Sequence, residues 1–263
     1  MKLDMHCHTK EGSLDGKIPI EDYIVSLIEK GFDGMLVTDH NSYKGYRHWK
    51  KNIKGKKYTD FYVFKGVEYD TIDAGHILVI MPDTIKLRIL ELRGLPVRIL
   101  IELVHKMGGI LGPAHPCGEK YLSYTNAKRH RKNQELLAQF DFMEAFNACE
   151  PAESNEQAAG LVRELSLVGI GGSDAHREDC IGLGFTKLEE YVTNERELIA
   201  YIKAKKPVTC GGTLYTGTTK EKLGAANLFL VKSFWLYNKF GGMMKMRKRK
   251  KAMKKDPHII KKE

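Results

Sequence analysis

Short apolar runs alternate with amphipathic segments along most of the chain. The strand-like runs read LDMHCHT, GMLVTDH, FYVFKGVEYD, HILVIMP, GILGPAH, FMEAFNA, VGIGGSDAH and PVTCGG. Apolar residues at helical spacing predict helices at residues 19–30, 97–107, 133–139, 153–167 and 194–205. Repeated strand-then-helix units are typical of parallel sheets, so the pattern predicts an α/β fold.

Length and composition agree with a globular α/β protein. The chain has 263 residues, a size that α/β barrels commonly reach as one domain. Its hydrophobic content of 42% and charged content of 29% are ordinary. The five cysteines show no C-x-x-C spacing, and their odd number argues against a complete disulfide framework. Because no signal peptide precedes the strand that begins at Leu3, we expect a cytoplasmic protein.

Most of the positive charge lies near the C-terminal end. The net charge is +10, and residues 245–263 account for +8 of it, with ten Lys or Arg against two acidic residues. The rest of the chain is therefore nearly balanced, at +2. We expect a folded domain at residues 1–215 and an extension at 216–263, with an apolar helix followed by a polybasic tail.

Histidines and acidic residues collect at the ends of the predicted strands. His6 and His8 alternate along the first strand and therefore project to the same face. The other members of the set are Asp15, His40, Glu68, His76, His115, Asp174 and His176. Because the C-terminal ends of parallel strands converge on one face of a barrel, we expect these side chains to be neighbours.

Nine ligands exceed what one metal ion needs. Zinc or manganese ions usually take three or four protein ligands, so the set suits two or three divalent ions. Three divalent cations beside three carboxylates leave a positive balance for hydroxide and an anion. Such clusters lower the pKa of bound water to about 7 and hold phosphoryl oxygens. The set therefore favours metal-assisted hydrolysis of phosphate esters.

The motifs that carry these residues form a recognisable series. They are DMHCHT with SLDG, VTDHN, GVEY followed by GHILVI, GPAHP, and GGSDAH followed by IGLGFT, from residue 3 to about residue 186. In content and order they resemble the polymerase-and-histidinol-phosphatase (PHP) family of phosphoesterases. The resemblance implies a distorted seven-stranded (β/α) TIM-like barrel with a trinuclear site for zinc, manganese or iron.

The resemblance also implies how the ligands divide among the ions. The first ion would be held by His6, His8, Glu68 and Asp174. The second would share Glu68 as a bridge and add His76 and His115. The third would be held by Asp15, His40 and His176. A hydroxide that bridges the first two ions would attack phosphorus, and the implied catalytic residues are Glu68, Asp174 and His176.

Two ligands depend on local geometry. The residues KEG lengthen the interval between His8 and Asp15 beyond the compact form of the first motif. His76 follows Glu68 by eight residues and reaches the site only if the next strand bends back. Without Asp15 and His76 a dinuclear site would remain. Groups expected to orient the imidazoles are Asp39, Asn41 and Ser173.

A basic loop after His115 is a candidate substrate-binding segment. Residues 118–133 read GEKYLSYTNAKRHRKN and contain Lys120, Arg129 and Arg131. Arginine binds phosphate through paired hydrogen bonds and tyrosine stacks on bases, so this composition favours phosphate or nucleotide contacts. Asn147, at the end of FMEAFNA, is a further candidate for substrate contact, although such residues often satisfy only backbone groups.

Two enzymatic interpretations remain open. One is a phosphoesterase that acts on nucleotides, nucleoside bisphosphates or short oligonucleotides. The other is a small-molecule phosphatase of the histidinol-phosphate type. Residues 83–108 are too few for a large inserted substrate-binding subdomain, which suggests an open pocket and weakens the case for an enclosed small substrate.

The C-terminal region supports a third, non-enzymatic interpretation. The segment NLFLVKSFWLYNKF at residues 227–240 is apolar nearly all round a helix and precedes the polybasic run. It suits docking on the barrel, an anionic membrane surface or nucleic acid, but it is too short and too charged to span a bilayer. In this interpretation the protein is an attachment factor and its metal site is structural.

Two variants separate an enzyme from an attachment protein. An enzyme should lose turnover through Asp174→Asn, which removes a metal ligand, and keep it after deletion of residues 241–263. An attachment protein should show the reverse in assays of binding to RNA or anionic vesicles. The salt dependence of RNA binding against vesicle binding then separates the two roles of the tail.

Overall fold

The computed structural model describes residues 1–118, 122–127, 134–216 and 260–262. Eight of its strands follow the apolar runs of the sequence, whereas the strands at Ile85–Leu87, Gly184–Leu188 and Ile260–Lys262 are not predicted by them. The strands are β1 (Lys2–Cys7), β2 (Gly34–Val37), β3 (Tyr62–Asp70), β4 (His76–Ile80), β5 (Ile85–Leu87), β6 (Ile110–Pro113), β7 (Phe142–Asn147), β8 (Val168–Gly172), β9 (Gly184–Leu188), β10 (Val208–Gly212) and β11 (Ile260–Lys262). The α-helices are α1 (Ile20–Glu29), α2 (Lys44–Asn52), α3 (Val97–Lys106), α4 (Ala152–Glu164) and α5 (Glu195–Lys203). Short 3₁₀ helices lie at Arg88–Glu91, Gln134–Gln139 and Glu178–Cys180. The second of these stands where the sequence predicts an α-helix.

The first three strands pair in parallel, and the pairing then changes direction. In the register, Leu3 lies opposite Gly34, and Gly34 lies opposite Tyr62. β4 runs antiparallel to β3, which differs from the parallel arrangement that the repeated strand–helix pattern predicts. Only residues 71–75 separate these two strands, whereas a parallel crossover needs about a dozen residues or more. The short connection therefore forces a hairpin.

The largest sheet has the order β10-β9-β1-β2-β3-β4-β6 and curls into a half-barrel. β7 and β8 form a separate parallel pair that lies between β6 and β1. On one side the Asp141 N–H donates to Leu111 O at 3.0 Å, and on the other the Asp174 N–H donates to His6 O at 2.9 Å. The predicted α/β class is confirmed, and closure into a seven-stranded barrel stays a prediction.

Apolar side chains hold these strands in three clusters. One cluster takes residues from β1–β4 and β6–β8, among them Phe64, Leu78 and Phe142. Another packs α1 and α2 against β1 and β2 and includes Leu27. The third packs α3 against β4 and β6 and includes Leu100. Together these layers fix the strands whose ends carry the candidate ligands.

A buried lysine and a buried glutamate join the first half of β3 to its neighbours. Lys65 Nζ donates to the carbonyl oxygens of Asp83 and Ile85 at 3.0 and 3.1 Å. Glu195, at the start of α5, is 3% exposed and accepts the Lys65 N–H at 2.7 Å. Both buried polar groups are therefore bonded, as burial demands.

Residues 260–262 are the part of the C-terminal extension beyond residue 216 that the structure describes. β11 pairs antiparallel with β5, with Ile260 opposite Leu87. The predicted apolar helix at 227–240 and most of the polybasic run lie outside the described residues. Within the described ranges, every helix is too short or too polar to cross a bilayer. The domain boundary between residues 215 and 216 stays a prediction.

Leu78→Ala should destabilise the fold strongly. Leu78 is 0% exposed, and truncation in a shared cluster leaves a cavity, so we expect a loss of about 2–5 kcal/mol in the free energy of unfolding. Ile99→Ala removes a side chain that is 48% exposed and should change that free energy by less than about 0.5 kcal/mol. Urea unfolding of both variants measures the difference, and equal losses would contradict this packing.

Candidate metal centre

The nine candidate ligands come together at one end of the curled sheet. Five strands, β1, β2, β3, β6 and β8, end there, whereas β4 begins there with His76. The hairpin register places His76 opposite Asp70, so the antiparallel turn brings this histidine back to the site. Among the described residues, four overlapping groups have ligand atoms within 4.8 Å of one another. They are His8–Asp15–His40–His176, His6–His8–Glu68, His40–Asp70–His76 and Glu68–His76–His115.

The residues predicted for the first ion face one another closely. His6 Nε2 and His8 Nε2 lie 3.1 Å apart, and they lie 3.4 and 3.2 Å from Glu68 Oε2. Asp174 Oδ1 lies 3.5 and 3.2 Å from the same two nitrogens. Ligand atoms about 2.0–2.1 Å from a tetrahedral ion stand about 3.3 Å apart. These four side chains therefore have the spacing of one coordination sphere.

The other oxygen of Glu68 faces the pair predicted for a second ion. Glu68 Oε1 lies 2.8 Å from His76 Nδ1 and 3.1 Å from His115 Nε2. Glu68 is 1% exposed, and its two oxygens meet different imidazoles, since Oε2 faces His6, His8 and also His40 Nδ1 at 3.1 Å. A carboxylate in this position is suited to bridging two ions.

The third predicted group is more open. Asp15 Oδ2 lies 3.5 Å from His40 Nε2 and 3.3 Å from His176 Nε2. The side chains of Asp15 and His176 are 54% and 32% exposed. The longer first loop still reaches the site because Gly12 N–H and Ser13 N–H both donate to Thr9 O, which folds the extra residues into a turn.

Several buried polar atoms at the site make no well-aligned hydrogen bond with the described residues, although atoms of opposite charge lie 2.8–3.4 Å away. They are Glu68 Oε2, His76 Nδ1 and Asp70 Oδ1. Buried polar atoms are almost always bonded, so such atoms side by side point to a group that completes their bonding. Imidazole nitrogens mixed with carboxylate oxygens suit zinc, manganese or iron. The residues present therefore fit divalent ions.

Buried carboxylates and imidazoles shift one another's pKa. Burial would raise the pKa of Glu68, but the surrounding imidazoles, led by His76, hold it well below its usual value. Burial would lower the pKa of His6, but the carboxylates around it, led by Glu144, raise it well above its usual value. Burial also opposes protonation of His115, yet the hydrogen bond and charge of Glu68 raise its pKa to about 9. The carboxylates thus attract positive charge, which protons or divalent ions supply.

The groups predicted to orient the imidazoles differ in what they touch. Asp39 accepts from Ser13 Oγ at 3.3 Å, and Ser13 Oγ in turn lies 3.1 Å from His8 Nδ1. Asn41 Oδ1 accepts the Asp70 N–H at 3.0 Å, at the edge of the site. Ser173 bonds through its backbone and hydroxyl groups to the buried Asp4 beneath the ligands.

Two acidic residues at the site are not among the residues predicted from the sequence. Glu144 on β7 lies 2.9 Å from His6 Nδ1. Asp70 ends β3, and its Oδ1 lies 3.4 Å from both His40 Nδ1 and His76 Nε2. Two features of the sequence could have identified them. Glu144 is an acidic residue within the apolar run FMEAFNA, and Asp70 is a second acidic residue two positions after Glu68 in GVEYD.

The predicted substrate-binding residues are placed unequally. Lys120, Arg129 and Arg131 lie outside the described residues. Asn147 is 1% exposed, and its Nδ2 donates to Glu144 Oε2 at 3.1 Å and to Asp174 Oδ2 at 3.2 Å. It therefore borders the ligand set, and its contact with substrate stays a prediction.

Comparison with known families gives one match. A family model described as PHP-associated matches residues 152–207, from the first helix residue of α4 to just before β10. No curated protein sequence matches the chain.

Several solved structures have a similar fold. PsfC from Pseudomonas syringae has a TM-score of 0.59 at 16% identity, over 89% of this chain and 98% of that one. A protein from Bifidobacterium adolescentis assigned as a metal-dependent phosphoesterase has a TM-score of 0.55 at 15% identity, over 78% and 96% of the two chains. An endonuclease Q, bound to a 27-mer duplex with an abasic lesion, has a TM-score of 0.53 at 16% identity, over 79% of this chain and 57% of that one. At these identities the likeness establishes the fold alone.

Glu68→Gln should weaken at least two ion positions, because the two oxygens of Glu68 face separate sets of imidazoles. Asp15→Asn should weaken only the open position formed with His40 and His176. Titration with Zn²⁺ and metal analysis after dialysis count the ions in each variant. An unchanged count in Glu68→Gln would contradict its central position, and Glu29→Gln, on the exposed end of α1, controls for loss of one charge.

Proposed function

We propose that this PHP-family chain is a metal-dependent phosphoesterase that hydrolyses phosphate esters. The observation that carries the proposal is the buried Glu68 carboxylate, whose two oxygens face separate sets of imidazoles at 2.8–3.4 Å. Such a carboxylate would be shared by two divalent ions, and paired ions are suited to in-line displacement at phosphorus.

We assign all nine candidate ligands to two or three divalent ions of zinc, manganese or iron. The division among the ions is the one that the family resemblance implies, with Glu68 shared between the first and the second. When bound, such ions supply a nucleophile from water at neutral pH and polarise phosphoryl oxygens.

The burial of the ligands indicates from which side a substrate enters. His6 and His8 are 0% exposed, so bulk water does not reach the first position from beneath. Asp15 and His176 are the exposed members, and they border the open side of the site. We expect the substrate phosphate to enter here, with Glu68, Asp174 and His176 as the catalytic residues that hold the reacting groups in place.

Nucleotides, nucleoside bisphosphates or short oligonucleotides are the substrate class we favour. The basic loop at 118–133 directly follows His115, and its arginines suit phosphate. The similar fold of endonuclease Q, a DNA-acting protein, is in keeping with this class. The alternative is a small phosphomonoester of the histidinol-phosphate type, for which an open pocket is less suited.

The same proposal covers the architecture and the compartment. We expect the half-barrel and the β7–β8 pair to form the seven-stranded (β/α) barrel of a domain at residues 1–215. We expect a cytoplasmic protein, because no disulfide joins the five cysteines, all of which lie in the described part. Contact of the tail with a membrane or nucleic acid would be accessory to this activity.

Release of phosphate in the presence of Mn²⁺ tests the proposal. The substrates are small monoesters including histidinol phosphate, nucleoside bisphosphates and short 5′-phosphorylated oligonucleotides. Asp174→Asn should lower turnover by more than about 100-fold, since changes even outside the ligand set cost about 10–100-fold.

Glu195→Gln is the matched control, because it removes a buried carboxylate that bonds Lys65 and should leave turnover unchanged. Removal of metal by a chelator should abolish turnover, and Mn²⁺ should restore it. Full turnover after chelation, or in Asp174→Asn, would overturn the proposal. If histidinol phosphate were the one substrate of the panel that is hydrolysed, the result would support the alternative, a small-molecule phosphatase.

A further inference from the structure

Glu144 is a buried carboxylate that contacts the ligand set from behind. It lies on β7 and is 1% exposed. Its Oε1 lies 2.9 Å from His6 Nδ1. Its Oε2 accepts the backbone N–H of His115 at 2.6 Å and Asn147 Nδ2 at 3.1 Å. Both oxygens are therefore used, and each reaches a different part of the site.

The contact with His6 fixes which ring nitrogen carries the proton. An ionised carboxylate only accepts hydrogen bonds, so the proton of a neutral His6 must sit on Nδ1. The lone pair is then on Nε2, which faces His8 Nε2 at 3.1 Å and Glu68 Oε2 at 3.4 Å. A carboxylate behind a ligating imidazole orients the ring and raises its basicity.

The second oxygen holds the backbone of another ligand. His115 has a φ of 30°, a left-handed conformation that is unfavourable for a residue with a side chain. The bond from its N–H to Glu144 Oε2 stabilises this conformation, in which His115 Nε2 lies 3.1 Å from Glu68 Oε1. Glu144 therefore acts on both the first and the second ion position.

Asn147 extends the same contact to a third ligand. Its Nδ2 donates to Glu144 Oε2 and also to Asp174 Oδ2 at 3.2 Å. Its Oδ1 accepts the Cys149 N–H at 2.9 Å, which fixes the orientation of the amide. Asp174 also has a positive φ, of 50°, and is held in register with β1 by its N–H bond to His6 O.

We infer that Glu144 is a positioning residue that sets the tautomer of His6 and the backbone of His115 for metal binding. The inference rests on the proposed metal centre. Replacing one accepting oxygen by an amide, as in Glu144→Gln, leaves a donor facing either His6 Nδ1 or the His115 N–H. In the first case the proton of His6 moves to Nε2 and blocks the ligand atom, and in the second the left-handed turn loses its support.

Titration of the metal-free full chain with Zn²⁺ tests this directly. Glu144→Gln should weaken the affinity of at least one ion by about 10–100-fold. Glu195→Gln, a buried glutamate that accepts a backbone N–H away from the ligands, should bind Zn²⁺ within about twofold of the wild type. Equal binding by Glu144→Gln and wild type, or equal losses in both variants, would overturn the inference.

A spectroscopic measurement on the wild type covers the case in which Glu144→Gln does not fold. Long-range ¹H–¹⁵N correlation spectra of the zinc-loaded protein show which ring nitrogen of His6 bears the proton, with His6→Gln used for assignment. The inference requires the proton on Nδ1, and a proton on Nε2 would refute it. If the wild type binds no Zn²⁺ or Mn²⁺, the proposed metal centre itself fails, so the two failures are distinguishable.

Discussion

The buried carboxylate of Glu68 is the interaction on which the arrangement of the strand ends depends. A buried carboxylate needs compensating charge and hydrogen-bond donors, or it costs several kcal/mol. Here the compensation comes from imidazoles on β1 and β4 and from imidazoles that follow β2 and β6, so four separate parts of the chain must meet at one point. Protons on these imidazoles or divalent ions between them serve the same electrostatic need. The positions of the strand ends are therefore tied to the chemistry that they support.

Most of the nine candidate ligands could be predicted from the sequence because they lie at or just after the end of an apolar strand, whereas Asp15 lies in the loop after β1 and His76 begins β4. Their convergence then follows from the α/β pattern, even where the predicted strand direction is wrong. β4 is antiparallel, yet His76 still reaches the site, because the first residue of an antiparallel strand lies beside the last residues of its partner. Asp15 also reaches its group, since the residues KEG close a turn on Thr9 and do not displace the loop. In both cases local geometry absorbs a departure from the expected pattern.

Glu144 and Asp70 could not be found in this way. The strand pattern does not distinguish a glutamate in FMEAFNA from an acid that pairs with a surface lysine, because its partners His6 and His115 are distant in sequence. Asp70 immediately follows the motif GVEY and cannot be distinguished by sequence from an ordinary polar residue at the end of a strand. Its Oδ2 lies 2.9 Å from Arg93 Nη2, in an ion pair that forms only in the folded chain. Residues around a ligand set are defined by three-dimensional contacts, whereas the ligands themselves follow the strand pattern.

The packing of the β7–β8 pair against its neighbouring strands also determines the geometry of the site. A Cβ on Gly112 of β6 would lie 2.1 Å from Phe142 O on β7, and a Cβ on Gly172 of β8 would lie 2.4 Å from His6 Cβ on β1. Both flanks of the pair therefore approach their neighbours more closely than any side chain allows. Glu144, on β7, contacts residues on both sides of the pair. Its side chain lies beside His6 on β1 and accepts the backbone N–H of His115, which follows β6. Because the same close contacts set the position of the pair and the reach of Glu144, a shift that opened either flank would also separate the ligands.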